Sequence, residues 1–404
     1  MHVNRIRPIC GILLVFILIA GLSLAAAEKT ILMSFTGDCT IGSEERTRGA
    51  EDSFDSLAAS KGYDYFFANF KDMFSRDDLT VINFEGVLSD SKSQESKGKT
   101  YRFRGPTVFA KILTGSSIEA CSLANNHIAD FGKQGEDSTK AALTENGIAW
   151  FQAFNVYTFE KDGVKIAFMA LDNISYNKYS EKLRNVIREM KSSGAADAFV
   201  VCWHTGMEYR GTHEENAERM VKNVINAGAD LIIINHPHVL QGIGIYNNRC
   251  VFYSLGNFVF GGNNRIKDKA LSQNVTVTSL YSMVVQVKMT FTDDGRYLGQ
   301  QATLYPVYIS SGGMDKHNVQ INNYQPYRAD VKEAVPVRAA VQYDTLFKLP
   351  EITADEDGLS RMEMGFLPAL DGLVVSDSED GGYFWTPEAA SPKPGREEKG
   401  NPGN

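Results

Sequence analysis

The sequence predicts an α/β layered fold, and three observations carry that reading. From Thr30 to about Ser254, short apolar runs alternate with amphipathic segments, the order in which strands and helices build layered α/β domains. The runs are nearly continuous in Val, Ile, Leu and Phe, as strands buried on both faces are. Beyond Gly262 the pattern changes to period-2 alternation, the mark of an antiparallel hairpin. The chain has 404 residues, 43% hydrophobic and 22% charged. That is long enough for a substantial core and excludes collagen-like, coiled-coil and wholly disordered architectures. With 41 Lys+Arg against 49 Asp+Glu, the net charge is −8, so no nucleic-acid partner is expected.

Taken in order, residues 1–27 read as a signal peptide or N-terminal membrane anchor. Arg5 and Arg7 precede the apolar stretch Ile9–Ala27, and Ala25-Ala26-Ala27 resembles a small-residue cleavage site. Positive charge before the apolar run places the rest of the chain outside the cytoplasm, secreted or anchored. Buried strands are predicted at 30–37, 80–84, 118–124, 164–171, 198–203, 230–235 and 250–255. Helices are predicted at 63–75, 133–146, 178–192 and 213–227. The last carries a stripe of Met220, Val221, Val224 and Ile225 and stops at Gly228. The hairpin pairs 281–291 with 301–309 across Asp293-Asp294-Gly295, with one exposed face, and extends the domain as outer strands of a second sheet.

Residues 310–350 are weakly patterned. Residues 351–404 hold twelve acids and four bases, a composition that marks a separate acidic tail outside the core. The expected organisation is one domain over 28–312, a C-terminal extension over 313–377 and a disordered acidic tail over 378–404. Cys39, Cys121, Cys202 and Cys250 each lie in or beside an apolar run. Their even number permits disulfides in an exported protein, but such positions suit reduced, buried thiols better.

The chemistry concentrates where predicted strands end. The first ends in Asp38, the second runs into Asn83 and Glu85, and the third into Asn126-His127 with Asp130 behind. The fifth delivers His204, with Glu208 and Tyr209 following, and the sixth ends in His236-Pro237-His238. Carboxyl ends of strands in open α/β sheets meet at one crevice. A lone strand-end histidine is usually structural; four, beside Asp38, Glu85 and Asn126, indicate a site. Imidazole, carboxylate and amide oxygen together suit one or two divalent transition metal ions, Mn²⁺, Fe or Zn²⁺, rather than a thiolate zinc or calcium cage. Arg102 and Arg104 share one face of an alternating segment and either clamp an anionic group or sit on a solvated edge. No GxSxG, P-loop or dinucleotide fingerprint is present.

The ordered set TGDCTIG, NFEGVL, LANNHIADFG, WHTGMEY, NHPHVLQGI and YSLGNF resembles the bacterial poly-γ-glutamate capsule synthesis (CapA-like) family, which is similar to the calcineurin-like metallophosphoesterases. The resemblance spans about residues 31–260. It implies a four-layer α/β/β/α sandwich with a dimetal site at one edge. By this likeness Asp38, Glu85, Asn126, His204, His236 and His238 are metal ligands. Glu85, Asn126, His204 and His236 serve one ion; Asp38, Glu85 and His238 serve the other. His127 is the group that contacts substrate or protonates a leaving group, with Asp130 orienting it, and Arg102, Arg104, Glu208 and Tyr209 are substrate-binding candidates.

Two departures stand out. Thr40 occupies the place of a metal-binding histidine, and Glu85 replaces a shorter bridging aspartate. Simple alternation along an extended strand end puts residue 40 on the same face as Asp38. Two functions are therefore expected to compete. One is an exported metal-dependent hydrolase of capsule or cell-envelope polymer biosynthesis, acting on an anionic polymer or a phosphoester. The other is a non-catalytic, metal-containing accessory factor that binds or exports such a polymer. Membrane-bound capsule synthesis machinery is the partner class the resemblance implies.

Overall fold

The computed structural model describes residues 28–262 and 265–370, apart from 267, 273 and 274. The expected N-terminal leader or anchor and the tail beyond 370 lie outside the described residues. Among the described residues, no helix is long and apolar enough to cross a membrane.

The fold is mixed α/β, with two large sheets. In the ten-stranded sheet, β1 (Glu28–Cys39), β2 (Leu79–Phe84), β3 (Ala120–Ser122) and β4 (Ala149–Phe151) run parallel as neighbours. The six-stranded sheet contains β5 (Tyr157–Lys161), β6 (Val164–Asp172), β7 (Ala198–His204), β8 (Leu231–Asn235), β9 (Ile243–Tyr246) and β10 (Arg249–Phe252), with β6, β7, β8 and β10 parallel. The hairpin strands β11 (Tyr281–Thr292) and β12 (Tyr297–Tyr308) pair antiparallel.

That hairpin corrects the sequence expectation. β11 pairs with β1, Phe35 opposite Val285, so it lies inside the first sheet rather than at the margin of a second. It is covered on both faces: Val285, Val287, Met289 and Phe291 join a core shared by the two sheets, whereas Val284 joins the cluster on the other side. Alternation showed a strand with a polar-tinged face, and Gln286, half-buried, and Lys288, exposed, supply that tint.

Three apolar clusters follow from the strand patterns. The first mixes inward residues of both sheets, such as Phe35 and Val81 with Phe168, Val200 and Ile233. The second joins Ile82, Phe84 and Cys121 to the aromatic segment 54–74 and to Ala142 and Leu143 of a helix over Gly132–Glu145. The third joins Val201, Trp203 and Ile232 to α-helices Asn173–Ser192 and Glu215–Asn226. In the latter helix the predicted stripe Met220, Val221, Val224 and Ile225 is buried.

Two further expectations change. Residues 63–75 do not form one helix: a 3-10 turn (Tyr63–Tyr65) and a short helix (Lys71–Phe74) replace it. Its aromatic residues are weak helix formers, and the Tyr65 carbonyl is taken by Gln325 Nε2 at 2.9 Å. Phe54 and Phe66 stack at 4.0 Å. The acidic stretch after 350 is also not wholly separate. Ser360–Glu363 and Leu367–Pro368 pair with β12, and Met362, Met364 and Leu367 enter the central core. Composition misled because Glu351, Glu356, Asp357 and Glu363 are exposed while a few alternate apolar residues point inward. The four cysteines are free and buried, as expected.

Candidate metal centre

The carboxyl ends of five parallel strands bring the site together. Asp38 closes β1, Glu85 follows β2, and Asn126 and His127 follow β3. His204 closes β7, and His236 and His238 follow β8. Gly37 permits the approach of the next loop: a Cβ there would lie 2.3 Å from the Gly256 carbonyl oxygen. Glycine alone avoids that clash, and the loop carries Asn257 to His238.

Glu85 sits at the centre and is fully buried. Its Oε1 lies 3.5 Å from His204 Nε2, 3.8 Å from His127 Nε2 and 3.8 Å from His238 Nε2. These separations exceed hydrogen bonds, and neither Glu85 oxygen has a hydrogen-bond partner. Each of those imidazoles is held from behind through Nδ1. His127 meets Asp130 Oδ2 at 2.8 Å, and His204 meets Asn83 Nδ2 at 3.2 Å. His238 meets Asn257 Oδ1 at 2.9 Å and Asp38 Oδ2 at 3.2 Å. His204 Nε2 also lies 2.8 Å from Asn126 Oδ1. The buried Nδ1 of His236 is likewise without a partner.

These orphaned atoms are the test of whether a metal fits. A buried carboxylate without donors costs several kcal/mol, and a cation removes that cost. Ligands bound at about 2.1 Å around one ion lie roughly 3–4 Å apart, matching the separations around Glu85. Two groups of ligand atoms fall within 4.8 Å: Glu85 with His236 and His238, and Asp38 with Glu85 and His204. Glu85 is common to both, but the groups cross the division of histidines that the resemblance implies. The backbone is strained here as well, with φ of 108° at His236 and 56° at His238. Such values in non-glycine residues cluster at functional sites. The His236 N–H donates to Asp38 Oδ2 at 3.2 Å and helps hold that conformation.

The electrostatics describe the same cluster. Burial, reinforced by Asp38, pushes the Glu85 carboxyl well above the usual range. Burial and the neighbouring histidines push His204 well below 6.5, and burial and His238 lower His236. For His238, burial disfavours the imidazolium, but Glu85 and Asp38 outweigh it and raise the pKa to about 9. Histidines kept neutral by burial are those able to offer a lone pair.

The remaining candidates divide. Asp130 is buried and accepts from His127, from the Phe103 N–H (2.9 Å) and from Lys99 Nζ (2.8 Å). Glu208 and Tyr209 are exposed on the loop after β7, and the Tyr209 ring centroid lies 5.9 Å from that of His238. Arg102 and Arg104 are taken up by protein groups: Arg102 pairs with Glu95 at 2.8 Å and Arg104 with Glu45 at 2.9 Å. Arg104 is only 7% exposed and also donates to the Ser89 carbonyl. Thr40 already has its hydroxyl engaged. Its buried hydroxyl accepts the Gly261 N–H at 2.6 Å and donates to the Gly42 carbonyl at 3.4 Å. β1 ends at Cys39, so strand periodicity does not extend to it.

Sequence reasoning missed Lys99 and placed Asn83 and Asn257 near the site without giving either a role. Asn83 bridges Asp38 Oδ1 (2.7 Å) and His204, and lies two residues before Glu85, a spacing that could have marked it. Asn257 stood within a quoted motif. Lys99, which also donates to the Asn126 carbonyl, comes from a loop with no sequence signal.

Known proteins resemble the chain across this region. The family profile described as "Bacterial capsule synthesis protein PGA_cap" matches residues 32–262. The PGA biosynthesis protein CapA of Bacillus subtilis (strain 168) is 29% identical over 299 residues, covering 67% of this chain and 76% of that protein. The capsule biosynthesis protein CapA of Bacillus anthracis is 30% identical over 271 residues, covering 61% and 64%. A probable polyglutamine synthesis accessory protein of Mycobacterium tuberculosis is 25% identical over 236 residues, covering 50% and 62%. Among solved structures, a hypothetical protein from Thermus thermophilus aligns with a TM-score of 0.39 at 12% identity, covering 68% of this chain and 99% of that one. The matched span exceeds half the chain and contains every proposed ligand: the chain belongs to the PGA_cap family of bacterial capsule synthesis proteins.

Proposed function

We propose that the protein is an exported, metal-dependent hydrolase of capsule polymer biosynthesis, acting on an anionic polymer of the poly-γ-glutamate type. The observation that carries this is the buried Glu85 carboxylate, unpaired and surrounded by three imidazole Nε2 atoms. Glu85, common to both ligand groups, would be shared by one or two divalent Mn, Fe or Zn ions, held together with Asp38, Asn126, His204, His236 and His238. When bound, such an ion supplies Lewis-acid polarisation and activates water. His127, turned by Asp130, presents Nε2 to the same centre and is placed to hand a proton to a leaving group. Lys99 neutralises Asp130 and keeps that carboxylate in place. The three apolar clusters support a helix–sheet–sheet–helix order of four layers with this centre at one edge. The names of the two Bacillus relatives support the pathway.

The test is elemental analysis of purified protein, followed by incubation with poly-γ-glutamate and chain-length measurement. One to two transition metal ions per chain and metal-dependent shortening are expected; protein purified without chelator that holds no metal would overturn the reading. A second reading, a non-catalytic accessory factor that binds the polymer, is favoured by Thr40 standing where an imidazole ligand is implied. It predicts saturable polymer binding with full metal content and no turnover.

A further inference from the structure

A cleft of about 520 Å³ lies beside the metal centre, lined by Ala124, Ile128, Phe154, Asp172, Ser175 and Tyr179 among others. Two of its walls lead directly into the site. Ala124 and Ile128 bracket Asn126 and His127 in the chain, and Asp172 pairs in register with His204 across β6 and β7. Phe154 and Tyr179 of its lining each carry a lysine over the ring. Lys182 Nζ sits 4.6 Å from the Phe154 ring centroid, Phe154 meets Tyr179 edge-on at 5.5 Å, and Lys178 Nζ sits 5.0 Å from the Tyr179 centroid. Phe154 and Tyr179 are 45% and 38% exposed. Tyr179 also breaks the helix geometry, with φ −132°.

The charges select the occupant. Neither Lys178 nor Lys182 pairs with a carboxylate among the described residues, and two ammonium groups on an apolar platform gain by meeting an anion. The carboxylate on the wall, Asp172, is occupied in capping its helix, accepting the Ser175 N–H at 2.6 Å. We infer that this cleft is a binding subsite for the carboxylate-bearing polymer flanking the bond presented to His127 and Glu85. Its lysines hold side carboxylates, and Phe154 and Tyr179 cover the methylene backbone. The inference rests on the polymer reading above and names where the chain lies.

Fluorescence anisotropy of a labelled, γ-linked decaglutamate with the full metal-loaded chain tests it. Lys178→Gln/Lys182→Gln is expected to weaken binding about tenfold, and Phe154→Ala to weaken it as well, with metal content unchanged. The same charge removed at exposed Lys316 and Lys332 should leave binding as in wild type. Wild-type binding that the cleft variants leave intact, or that the control variant weakens equally, overturns the subsite while the polymer reading stands. Failure of the wild-type protein to bind decaglutamate overturns the polymer reading itself.

Discussion

Replacing Glu85 with glutamine should separate what the site costs the fold from what it does. In the metal-free protein, Glu85 is a fully buried carboxylate with no hydrogen-bond partner on either oxygen. Ionising that carboxyl, or holding it protonated far above its usual range, costs several kcal/mol, whereas a poorly paired amide costs about 1–3 kcal/mol. Glu85→Gln is therefore expected to stabilise the metal-stripped protein by about 1–3 kcal/mol, or roughly 1–4 °C in Tm for a domain of this size. Metal binding reverses the order. An ion at a thousandfold excess over Kd stabilises wild type by about 4 kcal/mol, and the variant loses most of that because both ligand groups share Glu85. Thermal denaturation of both proteins, chelated and metal-loaded, together with elemental analysis, reads all four states. A metal-stripped variant less stable than metal-stripped wild type would show that Glu85 is satisfied without a cation, and the argument for the site would fall with it.

Three further outcomes are expected. His204→Ala or His236→Ala should lower bound metal more than His127→Ala, because His127 is oriented by Asp130 as a proton carrier; equal loss in folded variants would contradict that division. In metal-free protein, His238 binds its proton more tightly folded than unfolded, so its contribution is complete below pH 6.5 and is lost as pH rises through about 9. Stability should therefore fall by about 3 kcal/mol across that window, and a flat denaturation profile would refute it. Truncation after Leu370 should leave melting temperature and metal content unchanged, whereas truncation after Pro350 removes buried Met362, Met364 and Leu367. The second loss is about 5–9 kcal/mol of burial, so comparable melting of the two truncated proteins would overturn the boundary.

The parallel strands and the ends that carry Asp38, Glu85, His204 and His236 were legible because each strand is a continuous apolar run that stops at a polar residue. Less legible was anything set by distant partners. The central place of β11 depends on its pairing with β1, which no local pattern reveals. The aromatic segment 63–75 has helical spacing, yet its packing against Gln325 and Phe54 decides its shape. At the site, residue type identified the histidines, but only coordinates separate Arg104, committed to Glu45, from Lys99, committed to Asp130. Thr40 shows the limit of periodicity: one residue past a strand end, alternation no longer states where a side chain goes.

The pairing of β1 with β11 also sets the order of events in folding. Ser34 meets Gln286 and Phe35 meets Val285, a separation of about 250 residues that must close before the first sheet is complete, and contacts so far apart make folding slow. Until β11 is available, β1 presents an unpaired edge on the side β11 later fills, next to the strand end that carries Asp38. A chain built this way leaves its first sheet incomplete until Thr292 has been made, so the strand that carries Asp38 gains its second neighbour late.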